Sequence, residues 1–119
     1  MLTPDQLQDR LIDVGANVGI ILRQLPRDLV AGHVAKQLIR SATSPAANYA
    51  EARAAESRRD FVHKMQIALK ELRETRVWLR LIERLGPTPS GLEPLIQECL
   101  ELVSIFAKSV KTARGGGPI

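Results

Sequence analysis

The amino-acid sequence predicts a single all-α domain folded as an antiparallel up-and-down four-helix bundle, and three observations lead to that prediction. Hydrophobic residues make up 45% of the 119 residues but aromatic residues only 3%, and a core of aliphatic residues and alanine favours helices over sheets. Four segments repeat apolar residues at steps of three and four, as helices with one buried face do. The connections between them are short, which makes neighbouring helices antiparallel. We expect the bundle to span residues 1–114 and the Gly-rich tail, residues 115–119, to be disordered.

The first helix is predicted to begin at Thr3, which can cap it, while Gln6 reaches back as in a capping box. Pro26 ends this helix, because proline cannot continue the hydrogen-bond ladder. Its apolar positions form a heptad pattern, which is typical of a helix packed against a partner. These positions are Leu7, Leu11, Val14, Val18, Ile21 and Leu25.

The second helix is predicted to begin near Asp28, its N-cap, and to be bent near Pro45. A proline at this position removes a backbone donor and clashes with the preceding turn, so Ser44 would cap a restarted helix. The alanine-rich continuation, residues 46–55, is interpreted as helical. The positions expected to face the core are Val30, Val34, Leu38 and Ala42.

The third helix is predicted to open at Ser57, with Asp60 three residues further on, and to close at Gly86 and the proline after it. The fourth is predicted to start at Ser90, with Glu93 in its first turn. The expected core positions are Phe61, Met65, Ala68, Leu72, Thr75, Leu79 and Ile82 in the third helix, and Leu92, Leu95, Cys99, Leu102 and Phe106 in the fourth.

A second apolar stripe lies beside the core face of the third helix when residues are placed at about 100° intervals. It consists of Ile67, Trp78, Leu81 and Leu85. In one interpretation the helix packs on two neighbours and the stripe is internal, because buried helices are commonly apolar over a wide arc. In the other, the stripe is an oligomer interface, since a tryptophan and leucines exposed on a monomer would be a liability.

A third arc of the same helix carries Lys70, Arg73, Arg80 and Arg84. The formal net charge is +4, and residues 36–84 contain eleven basic and six acidic side chains. One interpretation is a solvated face partly neutralised by nearby glutamates. The other is a track for nucleic-acid phosphates that arginines contact without reading bases. No aromatic side chain interleaves with these cations, so stacking on single-stranded bases is not indicated.

The sequence contains no pattern that indicates a catalytic, cofactor or metal site. Glu71 with Glu74, and Glu98 with Glu101, resemble the acidic pairs that all-α nucleotide pyrophosphatases place around magnesium, which prefers oxygen ligands. Because Glu74 and Glu101 are predicted to point outward, a solvated face is the favoured interpretation. Cys99 stands among leucines, where a thiol is normally inert packing. The two histidines stand alone in the sequence.

The sequence predicts a cytoplasmic protein without a membrane segment. A single cysteine cannot form an internal disulfide, and the first residues lack the basic start and apolar run of a secretory signal. The longest apolar stretch, residues 14–22, is interrupted by polar residues and glycines. It falls well short of the roughly 20 residues that a membrane span requires.

Residues 37–85 resemble a known family, the bacterial four-helix-bundle proteins first noticed in intervening sequences of 23S ribosomal RNA genes. The residues that carry the resemblance are Gln37, Arg40, Ser41, Ser44, Ala47, Asn48, Ala50, Glu51, residues 57–61, Lys64, residues 68–71, Glu74, Thr75, Trp78 and Leu79. One departure is Pro45, which stands where the family usually has an aliphatic residue.

The resemblance implies a cytoplasmic homo-oligomer, with a ring of five expected, and no established activity. A related group, the accessory variability determinants of diversity-generating retroelements, is likewise pentameric and basic and works with a reverse transcriptase and nucleic acid. That kinship favours RNA or DNA as a partner by analogy of fold. For the shared polar residues Ser41, Asn48 and Glu51, we hypothesise hydrogen bonds across helices that fix their register.

The combined prediction is a non-enzymatic homo-oligomeric scaffold with no cofactor, metal, membrane or small-molecule substrate. Its macromolecular partner would be RNA or DNA, bound through Lys70, Arg73, Arg80 and Arg84. Two other classes stay open: a magnesium-dependent all-α nucleotide pyrophosphatase, and an adaptor that binds only other proteins.

Overall fold

A computed structural model describes residues 1–117 of the chain. These residues form four α-helices. Their bounds are Pro4–Leu22 for α1, Leu29–Arg53 for α2, Arg58–Leu85 for α3 and Leu92–Arg114 for α4. No strand occurs within the described residues. The predicted all-α four-helix fold is therefore confirmed.

Side chains before the first turns of three helices satisfy main-chain amides that have no partner inside the helix. Thr3 Oγ1 accepts from the Gln6 amide at 3.1 Å, and Gln6 Oε1 accepts from the Thr3 amide at 2.9 Å. This is the predicted capping box. Asp28 and Ser57 cap α2 and α3 through their side-chain oxygens at 2.8 Å and 3.0 Å.

The predicted start of α4 at Ser90 is wrong, because the helix begins at Leu92 after Gly91. Gly91 has a φ of 85°, a left-handed conformation that glycine adopts without a steric penalty. Ser90 is held instead by Gln24, whose side-chain amide donates to the Ser90 carbonyl at 3.1 Å and accepts from the Ser90 amide at 2.8 Å. This pair joins the two connecting loops at one end of the bundle.

The predicted restart of α2 at Ser44 is also wrong, since the helix is continuous across Leu29–Arg53 with Pro45 buried inside it. A proline removes one ladder hydrogen bond, yet Pro45 is buried and α2 keeps its contacts with α1 and α3. One such contact is the bond from Gln8 Nε2 of α1 to the Ala46 carbonyl at 2.9 Å. The bend near Pro45 stays a prediction.

Contacts between helices define their arrangement. Asp5 at the start of α1 pairs with Arg53 at the end of α2, with 2.6 Å between Oδ1 and Nη2. Arg58 at the start of α3 donates to the Ala113 carbonyl at the end of α4, at 3.0 Å. Each of these two pairs of helices therefore runs in opposite directions. Because α1 contacts α2 and α4, and α3 contacts the same two helices, α1 and α3 occupy opposite corners.

The core is built from the apolar faces that the helical periodicity predicts. All predicted inward positions of α3 and α4 are buried, as are those within α1. Leu25 is half-buried and lies in the loop, because α1 ends at Leu22 and not at Pro26 as predicted. Val30 is an exception in α2, with 51% of its surface exposed, because its neighbour Ala31 faces the core instead. Phe106 is fully buried and packs edge-on against Tyr49, with 5.6 Å between ring centroids.

The first three glycines of the predicted tail directly follow α4. They close α4 in a Schellman motif, in which the Gly116 amide donates to the Ala113 carbonyl at 3.2 Å and the Gly117 amide to the Thr112 carbonyl at 2.9 Å. Gly116 has a φ of 85°, the left-handed conformation that this motif requires. The rest of the predicted tail, residues 118–119, lies outside the described residues.

Candidate nucleic-acid interface

The outer face of α3 carries a row of positions that are exposed, except for the half-buried Gln66. Positions 59, 63, 66, 70, 73, 77, 80 and 84 follow each other at steps of four and three, about 160° from the buried face by helical geometry. No Asp or Glu occupies this row. Five of its members are cations, which we call the α3 basic stripe: Arg59, Lys70, Arg73, Arg80 and Arg84.

All five cations of the α3 basic stripe are exposed. Among the described residues, Lys70, Arg73 and Arg80 have no carboxylate within salt-bridge distance, and Arg84 Nη1 lies 3.9 Å from Glu83 Oε1. The four predicted nucleic-acid-binding residues thus lie together on one accessible face. Their charges remain largely uncompensated by nearby carboxylates.

The opposite corner of the bundle carries the opposite charge. Asp9 and Asp13 are exposed on the outer side of α1, and the one arginine inside that helix, Arg10, is bonded to Glu98 of α4. Since α1 and α3 occupy opposite corners of the bundle, the exposed aspartates of α1 and the α3 basic stripe lie on opposite sides of the molecule. A polyanion would therefore be attracted to the α3 side and repelled from the α1 side.

The four residues of the predicted oligomer interface differ in how far they are buried. Trp78 and Leu81 pack against the chain's own core, Ile67 is half-buried, and Leu85 is 49% exposed. The Trp78 ring meets the edge of His33 from α2, with 6.0 Å between centroids. For Trp78 and Leu81 this favours internal packing on a neighbouring helix, and only Leu85 presents a large apolar surface to solvent.

Arg40 of α2 binds the first of the two acidic pairs. Arg40 Nη1 donates to Glu71 Oε2 at 2.9 Å, and Nη2 donates to Glu74. Trp78 Nε1 donates to the same Glu74 oxygen at 3.1 Å. Glu71 is buried, so the positive charge of Arg40 compensates a carboxylate that water barely reaches.

Arg10 of α1 binds the second acidic pair in the same manner. Its Nε and Nη2 atoms donate to the two oxygens of Glu98 at 2.8 Å and 2.6 Å, and Nη2 lies 3.1 Å from Glu101 Oε1. The hydrogen bond to Glu98 raises the pKa of Arg10 above its ordinary value, so the guanidinium stays charged.

Each Glu-x-x-Glu pair therefore has an arginine where a magnesium ion would have to bind. A cation bound there would have to displace a guanidinium that already satisfies the carboxylate oxygens. Within residues 1–117, His, Cys, Asp and Glu side chains do not gather in groups of three or more that could hold a metal ion. The two acidic pairs are best explained as links between neighbouring helices.

The hypothesised polar network crosses helices at Ser41 and at Glu51, but not at Asn48. Ser41 Oγ lies 3.0 Å from Thr75 Oγ1, and both residues are buried. Glu51 lies 3.6 Å from Lys64 Nζ of α3. Asn48 Nδ2 donates to Ser44 one turn earlier, at 3.1 Å to the carbonyl and 2.9 Å to the hydroxyl. The side chain of Asn48 therefore bonds within α2 and does not link two helices.

Cys99 is buried in the core, as its spacing predicted. Burial raises the pKa of its thiol to about 12, with a smaller contribution from the negative charge of Glu98. At neutral pH the group is a protonated thiol, and the thiolate is the reactive form of cysteine. Cys99 is consequently a packing residue.

No helix within residues 1–117 is both long and apolar enough to cross a membrane. This agrees with the interrupted apolar stretch at residues 14–22, which belongs to α1 and turns one face toward the core.

The fold and its surface define an all-α four-helix-bundle protein with one cationic outer face. A sequence model described as 23S rRNA-intervening sequence protein matches residues 10–108. The chain therefore belongs to the family of 23S rRNA-intervening sequence proteins, which confirms the resemblance drawn from residues 37–85.

A solved structure agrees with this assignment. The chain is similar to a protein of unknown function from the S23 ribosomal protein family of Bacteroides thetaiotaomicron, with 31% sequence identity and a TM-score of 0.79. The match covers 92% of this chain and 98% of that one. No curated protein matches the chain.

Sequence reasoning missed Arg59, although a signal for it was present. Arg59 lies 14 residues before Arg73, which is close to four full turns of a helix, so both belong to one face. The roles of Arg10 and Arg40 had no comparable signal, because each depends on a carboxylate from a different helix.

Proposed function

We propose that this protein is a non-enzymatic, homo-oligomeric bundle of the cytoplasm that binds nucleic acid through the α3 basic stripe. The observation that carries the proposal is the row of exposed cations on α3, from which carboxylates are absent. Arginine and lysine side chains at a surface attract phosphates, and the counterions that they release from nucleic acid favour binding.

The composition of the stripe favours nucleic acid over a protein partner. Protein interfaces have a core that is depleted in charged residues and enriched in large apolar ones. The outer face of α3 offers one apolar side chain, Val77, among five cations. An acidic protein partner could bury little apolar surface against this face, whereas a phosphate backbone can bind through the positive charges alone.

The experiment is a fluorescence anisotropy titration of a labelled RNA hairpin, which contains both a duplex stem and a single-stranded loop. The variant replaces Arg73 and Arg80 by glutamate. Removing two phosphate contacts should weaken binding by more than about tenfold and reduce the slope of log affinity against log salt by about 2.

The matched control variant has the same change in net charge, but its two substitutions lie on α4. Lys108 and Lys111 are exposed, and replacing both by glutamate should leave most of the affinity intact. Equal losses in the two variants would show that only net charge matters and would contradict the assignment to α3. An unmodified protein that does not bind the hairpin at low salt would contradict the proposed function itself.

Self-association is the second part of the proposal, and a ring of five is expected from the resemblance to the family. It is supported by an apolar patch at the loop end of the bundle. Leu29 and Val30 of α2 and Leu85 of α3 are exposed there, and they line a pocket together with Leu25 and Pro26. Exposed apolar surface of this kind is characteristic of protein interfaces.

Light scattering should give a mass of about five times the 13.1 kDa of the chain, as expected for a closed ring with repeated interfaces. Replacing Leu29 and Leu85 by lysine should lower that mass, because charges would be buried at the contact. Replacing the exposed Ile12 of α1 by lysine is the matched control. A monomer at every concentration tested would refute this part of the proposal.

The pyrophosphatase alternative is disfavoured because Arg10 and Arg40 neutralise the carboxylates that it would need. The adaptor alternative predicts no nucleic-acid binding, so the hairpin titration distinguishes it from the proposal.

A further inference from the structure

We infer that the α3 basic stripe binds the phosphate backbone of a double-stranded nucleic acid, without reading its sequence, in preference to single strands. The inference rests on the proposed function and specifies which class of nucleic acid the stripe fits. Three features of the described residues support it: the rigidity and length of the stripe, the lack of Phe, Tyr and Trp side chains in the stripe, and the position of α3 between two neighbours.

The stripe is straight and long. It lies on one uninterrupted helix of 28 residues, and from Arg59 to Arg84 it extends about 37 Å at 1.5 Å per residue. One turn of a B-form duplex is about 34 Å long. A row of charges in a rigid helix matches a stiff duplex, whereas a flexible single strand would have to lose conformational freedom to follow it.

Aromatic stacking, the usual source of affinity for single strands, has no platform on this surface. The four aromatic residues of the chain are Tyr49, Phe61, Trp78 and Phe106. Tyr49, Phe61 and Phe106 are buried. Trp78 is half-buried, donates its Nε1 hydrogen to Glu74 and contacts His33. His63 is the one ring on the outer face of α3, and one imidazole cannot stack on successive bases.

The neighbours of α3 on both sides oppose its deep entry into the grooves where base sequence is read. An α-helix is about 10–12 Å wide and nearly fills a major groove of about 12 Å. α3 is packed along its length between α2 and α4, and the two shorter dimensions of the bundle are 26 Å and 20 Å. We therefore expect the stripe to lie across phosphates, and such contacts do not report the base sequence.

The test compares four labelled oligonucleotides of equal length by anisotropy: duplex RNA, duplex DNA, and an unstructured single strand of each kind. At least one duplex should bind more than about tenfold more tightly than its single strand, because the aromatic stacking that usually gives single strands their affinity is missing. With five contacts, the salt slope on duplex DNA should be about −4.5. Scrambling the duplex sequence should leave the affinity unchanged.

The outcomes separate this inference from the proposed function. If single strands bind as tightly as duplexes, and the loss on replacing Arg73 and Arg80 by glutamate persists, the preference for duplexes is wrong while binding through α3 stands. A strong dependence on duplex sequence would overturn the backbone assignment. If none of the four oligonucleotides binds, the inference and the proposed function both fail.

Discussion

Replacing Phe106 by alanine is expected to lower the free energy of unfolding by about 3 to 5 kcal/mol, the range typical of a large aromatic side chain removed from a packed core. The side chain is completely buried and meets the Tyr49 ring at 5.6 Å. The loss combines transfer of the ring to water, the cavity that remains, and the aromatic contact. Urea denaturation followed by circular dichroism measures it.

A matched substitution on the surface separates this effect from a general intolerance to alanine. Val77 is 60% exposed on the outer face of α3, and Val77→Ala should change the stability by no more than about 0.5 kcal/mol. If Phe106→Ala were as mild as Val77→Ala, the core around α4 would not be packed as described.

Replacing Arg40 by alanine is expected to cost about 2 kcal/mol of stability, because it leaves the carboxylate of Glu71 buried without a partner. Breaking a fully buried ion pair costs about 3–5 kcal/mol. The smaller figure applies here because half of the Arg40 side chain is exposed and water screens the pair. Arg53→Ala is the control, since its partner Asp5 is exposed and loses nothing by facing water.

A double-mutant cycle distinguishes this explanation from a loss of packing. In the Arg40→Ala, Glu71→Gln double variant the unpaired charge is gone, so the double variant should be more stable than the sum of the two single effects predicts. Strictly additive effects would mean that the buried charge of Glu71 does not cause the loss in Arg40→Ala.

Local pattern was enough to predict the helices and most of the core. The positions from Phe61 to Ile82 that were predicted to face the core are all buried, because a helix places residues three and four apart on one face regardless of its neighbours. The caps at Thr3 and Ser57 were predicted for the same reason, since each involves atoms only three residues apart.

Two errors occurred where contacts with residues far away in the sequence override a local signal. Serine is a common N-cap residue, yet the backbone of Ser90 is held by Gln24, which lies far away in the sequence. Pro45 should interrupt a helix, yet α2 continues through it in contact with α1 and α3. Asn48 is the reverse case, because a contact across helices was hypothesised and its side chain bonds to Ser44 in its own helix instead.

By itself the sequence determined the helices, the faces that they bury and the four cations of α3 that were predicted to bind phosphates, because helical periodicity is a local property of the chain. Only the tertiary structure decided that the acidic side of α1 lies opposite those cations and that Arg10 and Arg40 neutralise the two Glu pairs. Those features depend on which helices come together. That choice arises from packing among residues far apart in the chain.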